Sequence, residues 1–178
     1  MKKRFTISVF SENRAGILNR VTIMFTRRKI NITSIAVSES EIHDIYRHTI
    51  VVEDEEDRVM KLVKQLEKQI DVHKAFYHTD EEIVYQEIAL YKIPTGVLAH
   101  GGKAERLVRA HHARVLAVAP EFTVIEKTGH KEETQALFDE LKPFGILEFV
   151  RSGRVAITKP MKELKDYLDE LETASFVK

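Results

Sequence analysis

Residues 11–38 read SENRAGILNRVTIMFTRRKINITSIAVS, and this stretch decides the fold. A polar loop, Ser11-Glu12-Asn13-Arg14-Ala15-Gly16, opens directly into a helical pattern. Ile17, Leu18, Val21, Met24 and Phe25 recur at helical spacing and mark one apolar face. The pattern ends in Arg27-Arg28-Lys29, cations suited to the negative end of the helix dipole. Asn31 then opens a strand. The loop thus presents free main-chain N–H groups at a helix N-terminus, a natural seat for a carboxylate or phosphate. Gly16 has no Cβ, so a ligand can approach the main chain closely. Asn13 offers a short polar side chain that can cap the helix or bind a ligand. An ordinary capped strand-to-helix turn is the competing reading of the same residues.

Working outward, Phe5, Ile7 and Val9 alternate with Thr6 and Ser8 as a half-buried strand before the loop. After it, Ile35 and Val37 share one face of a second strand, and Tyr46, His48, Ile50 and Val52 are in phase on a third. The acidic run at residues 53–57 opens a second helix, where acids suit the positive end of the dipole. Val59, Leu62, Val63, Leu66 and Ile70 form its expected buried stripe, and residues 72–77 a fourth strand. Strand, helix, strand, strand, helix, strand is the order of a split-βαβ, ferredoxin-like sandwich with helices on one face.

The same order starts again after residues 79–85, an acidic stretch read as a linker. Residues 87–93 alternate as a strand, 94–102 form a loop punctuated by Pro and Gly, and 103–112 are helical. Strands at 114–119 and 122–127, a helix at 132–141 and a strand at 146–150 follow. Ser152-Gly153 is expected to turn the chain into a closing hairpin with residues 155–157. Pro160 begins a tail whose Leu164, Tyr167, Leu168 and Leu171 form an apolar stripe. The expected fold class is therefore α+β: two tandem ferredoxin-like βαββαβ domains. Their bounds are 1–78, a linker at 79–85, 86–158, and a helical tail at 159–178.

Composition narrows the function. The 178 residues carry 28 basic and 28 acidic side chains, so no global field draws the chain to nucleic acid or an anionic membrane. No cysteine is present, which removes disulfides, thiol nucleophiles and thiolate metal sites, and fits a cytoplasmic protein. The opening MKKRFTISVF has no long apolar run behind its charges, so it does not read as a signal peptide, and no segment approaches a membrane span. There is no G-x-S-x-G, P-loop, H-E-x-x-H or G-x-G-x-x-G after a strand. His43 with His48, or His73 with His78, can meet across strands as a local metal site; solvated or capping histidines are the competing reading. Glu81-Glu82 and Glu132-Glu133 read as solvated faces. Arg20 with Arg27-Arg28-Lys29 is the densest basic patch.

The opening FTISVFSENRAGILNRVTIMFTRRKINITSIAVSES resembles the regulatory small subunit of acetolactate synthase (acetohydroxyacid synthase), in which an Asn-x-x-Gly loop begins an ACT domain. Asn13, Gly16, Asn31 and Ile32 stand at the matching places. QEIALYKI at residues 86–93, AVAP at 117–120 and FVRSG at 149–153 are similar to later landmarks of that family, so the likeness spans residues 4–158. Lys29 and Ile30 replace a frequent Gly-aromatic pair, which requires another residue to end the first helix with φ > 0. The resemblance implies a non-catalytic subunit that stimulates a separate catalytic large subunit and confers feedback inhibition by a branched-chain amino acid, valine. It implies an ACT homodimer joined edge to edge, with the effector at the interface. The carboxylate would meet N–H groups of Arg14, Ala15, Gly16, Ile17 and Leu18, Asn13 would orient it, and Asn31 and Ile32 of the neighbouring domain would close the site. No cofactor is expected on this chain; thiamine diphosphate, Mg and FAD belong to the catalytic partner. A stand-alone ACT-type amino-acid sensor for another enzyme is the alternative.

Overall fold

A computed structural model of the protein describes residues 1–98 and 102–159. The tail helix expected at 159–178 lies, past Lys159, outside the described residues, as does the centre of the 94–102 loop. The chain divides into two compact units: Met1–Val84 together with a returning segment that starts at Val155, and Tyr85–Arg154.

The first unit runs β1 (Lys3–Glu12), α1 (Ile17–Arg27), β2 (Ile32–Glu39), β3 (Ile45–Asp54), α2 (Glu56–Leu66) and β4 (Val72–Thr79). Its sheet is ordered β2-β3-β1-β4 with antiparallel neighbours throughout. Period-two alternation sends Phe5, Ile7 and Val9 to one face, where Ile7 stands opposite Ile50 on β3 and Tyr77 on β4. Val21 and Phe25 of α1 and Val59, Leu62 and Leu66 of α2 close over that face. Leu62 and Leu66 have no exposed surface, and each such leucine contributes roughly 1.5–3 kcal/mol by leaving water. Ile70 corrects the expected stripe. The helix stops at Leu66, so Ile70 falls in the turn before β4 and is 95% exposed.

The second unit repeats the plan with β5 (Ile83–Pro94), α3 (Lys103–Ala110), β6 (Arg114–Val118), β7 (Phe122–Gly129), α4 (Lys131–Leu141) and β8 (Glu148–Arg151). The order β6-β7-β5-β8 matches the first sheet position for position. Ala89, Tyr91 and Ile93 pack with Val108, Ile125, Leu137 and Leu141. The Tyr91 hydroxyl donates to the Thr134 carbonyl at 2.6 Å, which satisfies a phenol that has no exposed surface.

Both crossing helices, α1 and α3, end the same way. The N–H of Ile30 donates to the Phe25 carbonyl at 3.0 Å and that of Lys29 to Thr26 at 3.0 Å; Ala113 donates to Val108 at 2.9 Å and His112 to Arg109 at 3.0 Å. These are Schellman closures, and their left-handed residues are Lys29 (φ 55) and His112 (φ 52) rather than glycine. Lys29 thus takes the positive φ that the missing glycine required.

Two connections differ from the sequence reading. The stretch expected as a linker is ordered: Thr79 ends β4, residues 80–82 form one 3-10 turn, and β5 begins at Ile83. A capping box holds this turn, with Glu82 accepting from the Thr79 N–H at 2.8 Å and the Thr79 hydroxyl at 2.9 Å. Val155–Thr158 forms β9, which pairs with β5 rather than closing a hairpin on β8. Ser152 explains this. Its N–H donates to the Ile88 carbonyl at 2.8 Å and its Oγ accepts from the Ile88 N–H at 2.9 Å, which keeps the chain along β5. No helix among the described residues is long and apolar enough to cross a membrane.

Candidate functional site

The loop between β1 and α1 is built by main-chain bonds. Glu12 N–H donates to the Asp71 carbonyl and Asn13 N–H to the Asp44 carbonyl, both at 2.9 Å. Arg14 N–H turns back to the Glu12 carbonyl at 3.0 Å, and Ile17 N–H to the Arg14 carbonyl at 3.1 Å. Gly16 is the N-cap, with φ 83 and no side-chain cap bond, so Asn13 does not cap the helix. A Cβ on Gly16 would meet nothing within 4 Å, so its left-handed backbone, not crowding, calls for glycine.

Of the five N–H groups from Arg14 to Leu18, two are therefore consumed inside the turn. Those of Ala15, Gly16 and Leu18 have no acceptor among the described residues. Ile17 is buried under the loop, whereas Leu18 stays 44% exposed beside the free donors. A cluster of main-chain donors next to an apolar side chain suits a small carboxylate that carries an aliphatic group.

Two cations flank the loop, and both are answered. Asp71, with a side chain only 5% exposed, receives Arg14 Nη1 at 3.3 Å and also pairs with Arg20 Nη1. Arg14 Nε lies 2.7 Å from Glu12. Arg20 thus belongs to the loop and not to the basic run at Arg27-Arg28-Lys29. Anion attraction here rests on the main-chain donors and the helix dipole, because the side-chain charges balance. Asp71 escaped sequence reading because it is 57 residues from Arg14, with no periodicity tying them together.

Ser11, at the base of the loop, is fully buried with its Oγ 2.8 Å from His48 Nε2. Burial pushes the His48 pKa down, which favours the neutral ring. His43 is 89% exposed beside Glu39 and Asp44, and so does not join His48. No group of three or more His, Asp or Glu side chains among the described residues is arranged to hold a metal. Glu82 and Glu133 are not simply solvated: each caps a turn, and accepting main-chain N–H bonds holds each carboxyl below the usual range.

Asn31 and Ile32 sit at the far end of α1. Eleven residues of helix separate them from the loop, a span of about 16 Å. Asn31 is exposed, and Ile32 begins β2, one of the two edge strands of its sheet. One chain therefore brings Asn13, Arg14, Ala15, Gly16, Ile17 and Leu18 together, but not Asn31 or Ile32 with them.

Comparison with known proteins fits this layout. The family described as AHAS small subunit-like ACT domain matches residues 7–74, and that described as small subunit of acetolactate synthase matches residues 86–160. The chain is 38% identical over 160 residues to the acetolactate synthase small subunit of Mycobacterium bovis, covering 88% of this chain and 93% of that one. It is 40% identical over 162 residues to the Bacillus subtilis acetolactate synthase small subunit, covering 89% and 91% respectively. The crystal structure of the Thermotoga maritima acetolactate synthase small subunit superimposes with a TM-score of 0.79 at 28% identity, over 90% of this chain and 99% of that one. Both units are thus accounted for, and the chain belongs to the acetolactate synthase small-subunit family, with an ACT domain as its first unit.

Proposed function

We propose that this chain is the regulatory subunit of an acetolactate synthase, and that it senses a branched-chain amino acid, valine, with its ACT domain. The observation that carries the reading is the set of open N–H groups at Ala15, Gly16 and Leu18 beneath a glycine cap. They would receive the effector carboxylate, with Asn13 orienting it and the exposed Leu18 beside the isopropyl group. Asn31 and Ile32 would come from a second copy, because α1 holds them too far from the loop of their own chain. That requirement ties ligand binding to dimerisation, and so lets a small molecule bias a larger assembly. The β2 edge, unpaired in its own sheet, is where two ACT sheets would join. The thiamine-diphosphate chemistry, with Mg and FAD, would reside on the catalytic large subunit, in the cytoplasm.

Calorimetric titration of the purified chain with valine, leucine and isoleucine, with lysine as control, tests this. Saturable valine binding that is lost in Gly16→Asp is the expected outcome, and Asn31→Ala should weaken it without unfolding the chain. Binding that survives Gly16→Asp refutes the placement. Pull-down of a large thiamine-dependent partner is expected as well; a chain that binds valine but captures no such partner is a stand-alone sensor instead.

A further inference from the structure

The two units share a backbone plan but not a filling. The Schellman closures align Phe25 with Val108 and Ile30 with Ala113, which places Val21 against Ala104 and Ile32 against Val115. At each of these four places the second unit carries the smaller side chain. In the first unit Val21, Phe25 and Ile30 are core, with Ile32 packed against them. In the second, the corresponding space between α3 and β6 is an open cleft of about 460 Å³. Leu98, Val108, Ala113, Val115 and Val118 give it apolar walls, and α3 is three residues shorter than α1.

Its polar groups fall into two sets. Deep in the cleft, the Thr95 hydroxyl donates to the Ala119 carbonyl at 2.6 Å and accepts from Thr123 at 3.1 Å, so both hydroxyls are satisfied. Along α3 stand Glu105 and Arg109, one helical turn apart. Arg109 is 79% exposed, and Glu105 is the only partner of its guanidinium among the described residues. A guanidinium matches a carboxylate, a glutamate matches an ammonium, and the walls beside them match a hydrocarbon side chain.

We propose that this cleft is a second small-molecule site, for a hydrophobic α-amino acid. Its carboxylate pairs with Arg109, its ammonium with Glu105, and its side chain fills the volume that Phe25 and Ile30 occupy in the first unit. The site is separate from the ACT loop and does not depend on it.

The test is a 15N-1H NMR titration of the full chain with L-leucine, with 4-methylpentanoate (no ammonium) and with 3-methylbutylamine (no carboxylate). Leucine should shift the amides of Leu98, Val108, Ala113 and Val118, in the wild type and in Gly16→Asp alike. Arg109→Ala should weaken these shifts by at least about tenfold, the worth of one charge-assisted hydrogen bond. Glu105→Gln should weaken leucine but not 4-methylpentanoate. Ala113→Ile, which restores the side chain of the first unit, should abolish the shifts in a chain that remains folded. Leucine shifts confined to residues 13–18 would overturn this site; cleft shifts that persist in Gly16→Asp support it, and the ACT loop is judged separately by its valine titration. Equal affinity for leucine and 4-methylpentanoate, or no cleft shifts at all, would also overturn the proposal.

Discussion

Placing a carboxylate at Gly16 is the sharpest probe of the ACT loop. Gly16 has φ 83, and its Cβ would meet open space, so Asp and Asn enter with the same small steric demand. Both also tolerate the left-handed region better than other L-residues, at a cost of at most about 1–2 kcal/mol. They differ in one charge. A ligand carboxylate on the N–H groups of Ala15, Gly16 and Leu18 would lie about 5 Å from the new Asp carboxylate, where repulsion is ~1 kcal/mol at the dielectric of water and ~3 kcal/mol at that of a protein surface. Valine affinity should therefore fall about 5- to 150-fold more in Gly16→Asp than in Gly16→Asn. In 1 M salt, where screening reaches only ~3 Å, the gap should narrow. Calorimetry at two ionic strengths reads both quantities, and thermal melts show that the two variants are equally folded. Equal losses in Asp and Asn, or a salt-independent gap, would refute a carboxylate seated on these donors.

Three further outcomes follow from the geometry. Lys29→Gly should raise stability by ~0.5–1 kcal/mol, because glycine holds φ 55 without the L-residue penalty; a lower Tm would refute this. Burial pushes the Tyr91 pKa up to about 12, with Arg151 opposing. Since the folded value lies above the unfolded one, its stabilisation is complete below about pH 10 and is lost as pH climbs toward 12. Burial raises Tyr77 as well, so absorbance titration should find a late-ionising fraction, and Tyr91→Phe should diminish it by one tyrosine. Burial lowers the His48 pKa, so its contribution is present above the ordinary histidine range and fades as pH falls below about 6.5 toward the folded value. Denaturation at pH 7 and pH 5 should show a smaller acid loss in His48→Gln than in the wild type; an identical loss would exonerate His48.

Much of this was legible in the residues because burial writes itself as period. Phe5, Ile7 and Val9 announce a half-buried strand, and Val59, Leu62, Val63 and Leu66 a helix stripe, since each face meets the same core at every repeat. The stripe misled only at Ile70, one turn past the point where the helix gives way. The loop donors could be inferred from Gly16, but which of them stay open could not, because that depends on the carbonyls of Glu12 and Arg14 turning inward. Asp71 and its two arginines depend on contacts across more than fifty residues, and no local pattern encodes them. The capping box at Thr79 and Glu82 was visible as T-x-x-E, yet the acidic surroundings suggested a linker. The strand at 155–157 was legible but its partner was not, because a Ser-Gly pair signals a turn without saying which strand the chain will meet afterwards.

The way α1 and α3 close carries a consequence for how freely the sequence can vary. A bond from a backbone amide to a backbone carbonyl survives nearly any codon change, so the corner between helix and strand persists while the letters around it drift. Lys29 and His112 differ in shape and basicity, yet their φ angles, 55° and 52°, agree to within a few degrees. The likeness between the halves of this chain lies in torsion angles and strand order rather than in repeated letters. Side chains on either copy are correspondingly free to change, and one half can hollow out while the other stays full.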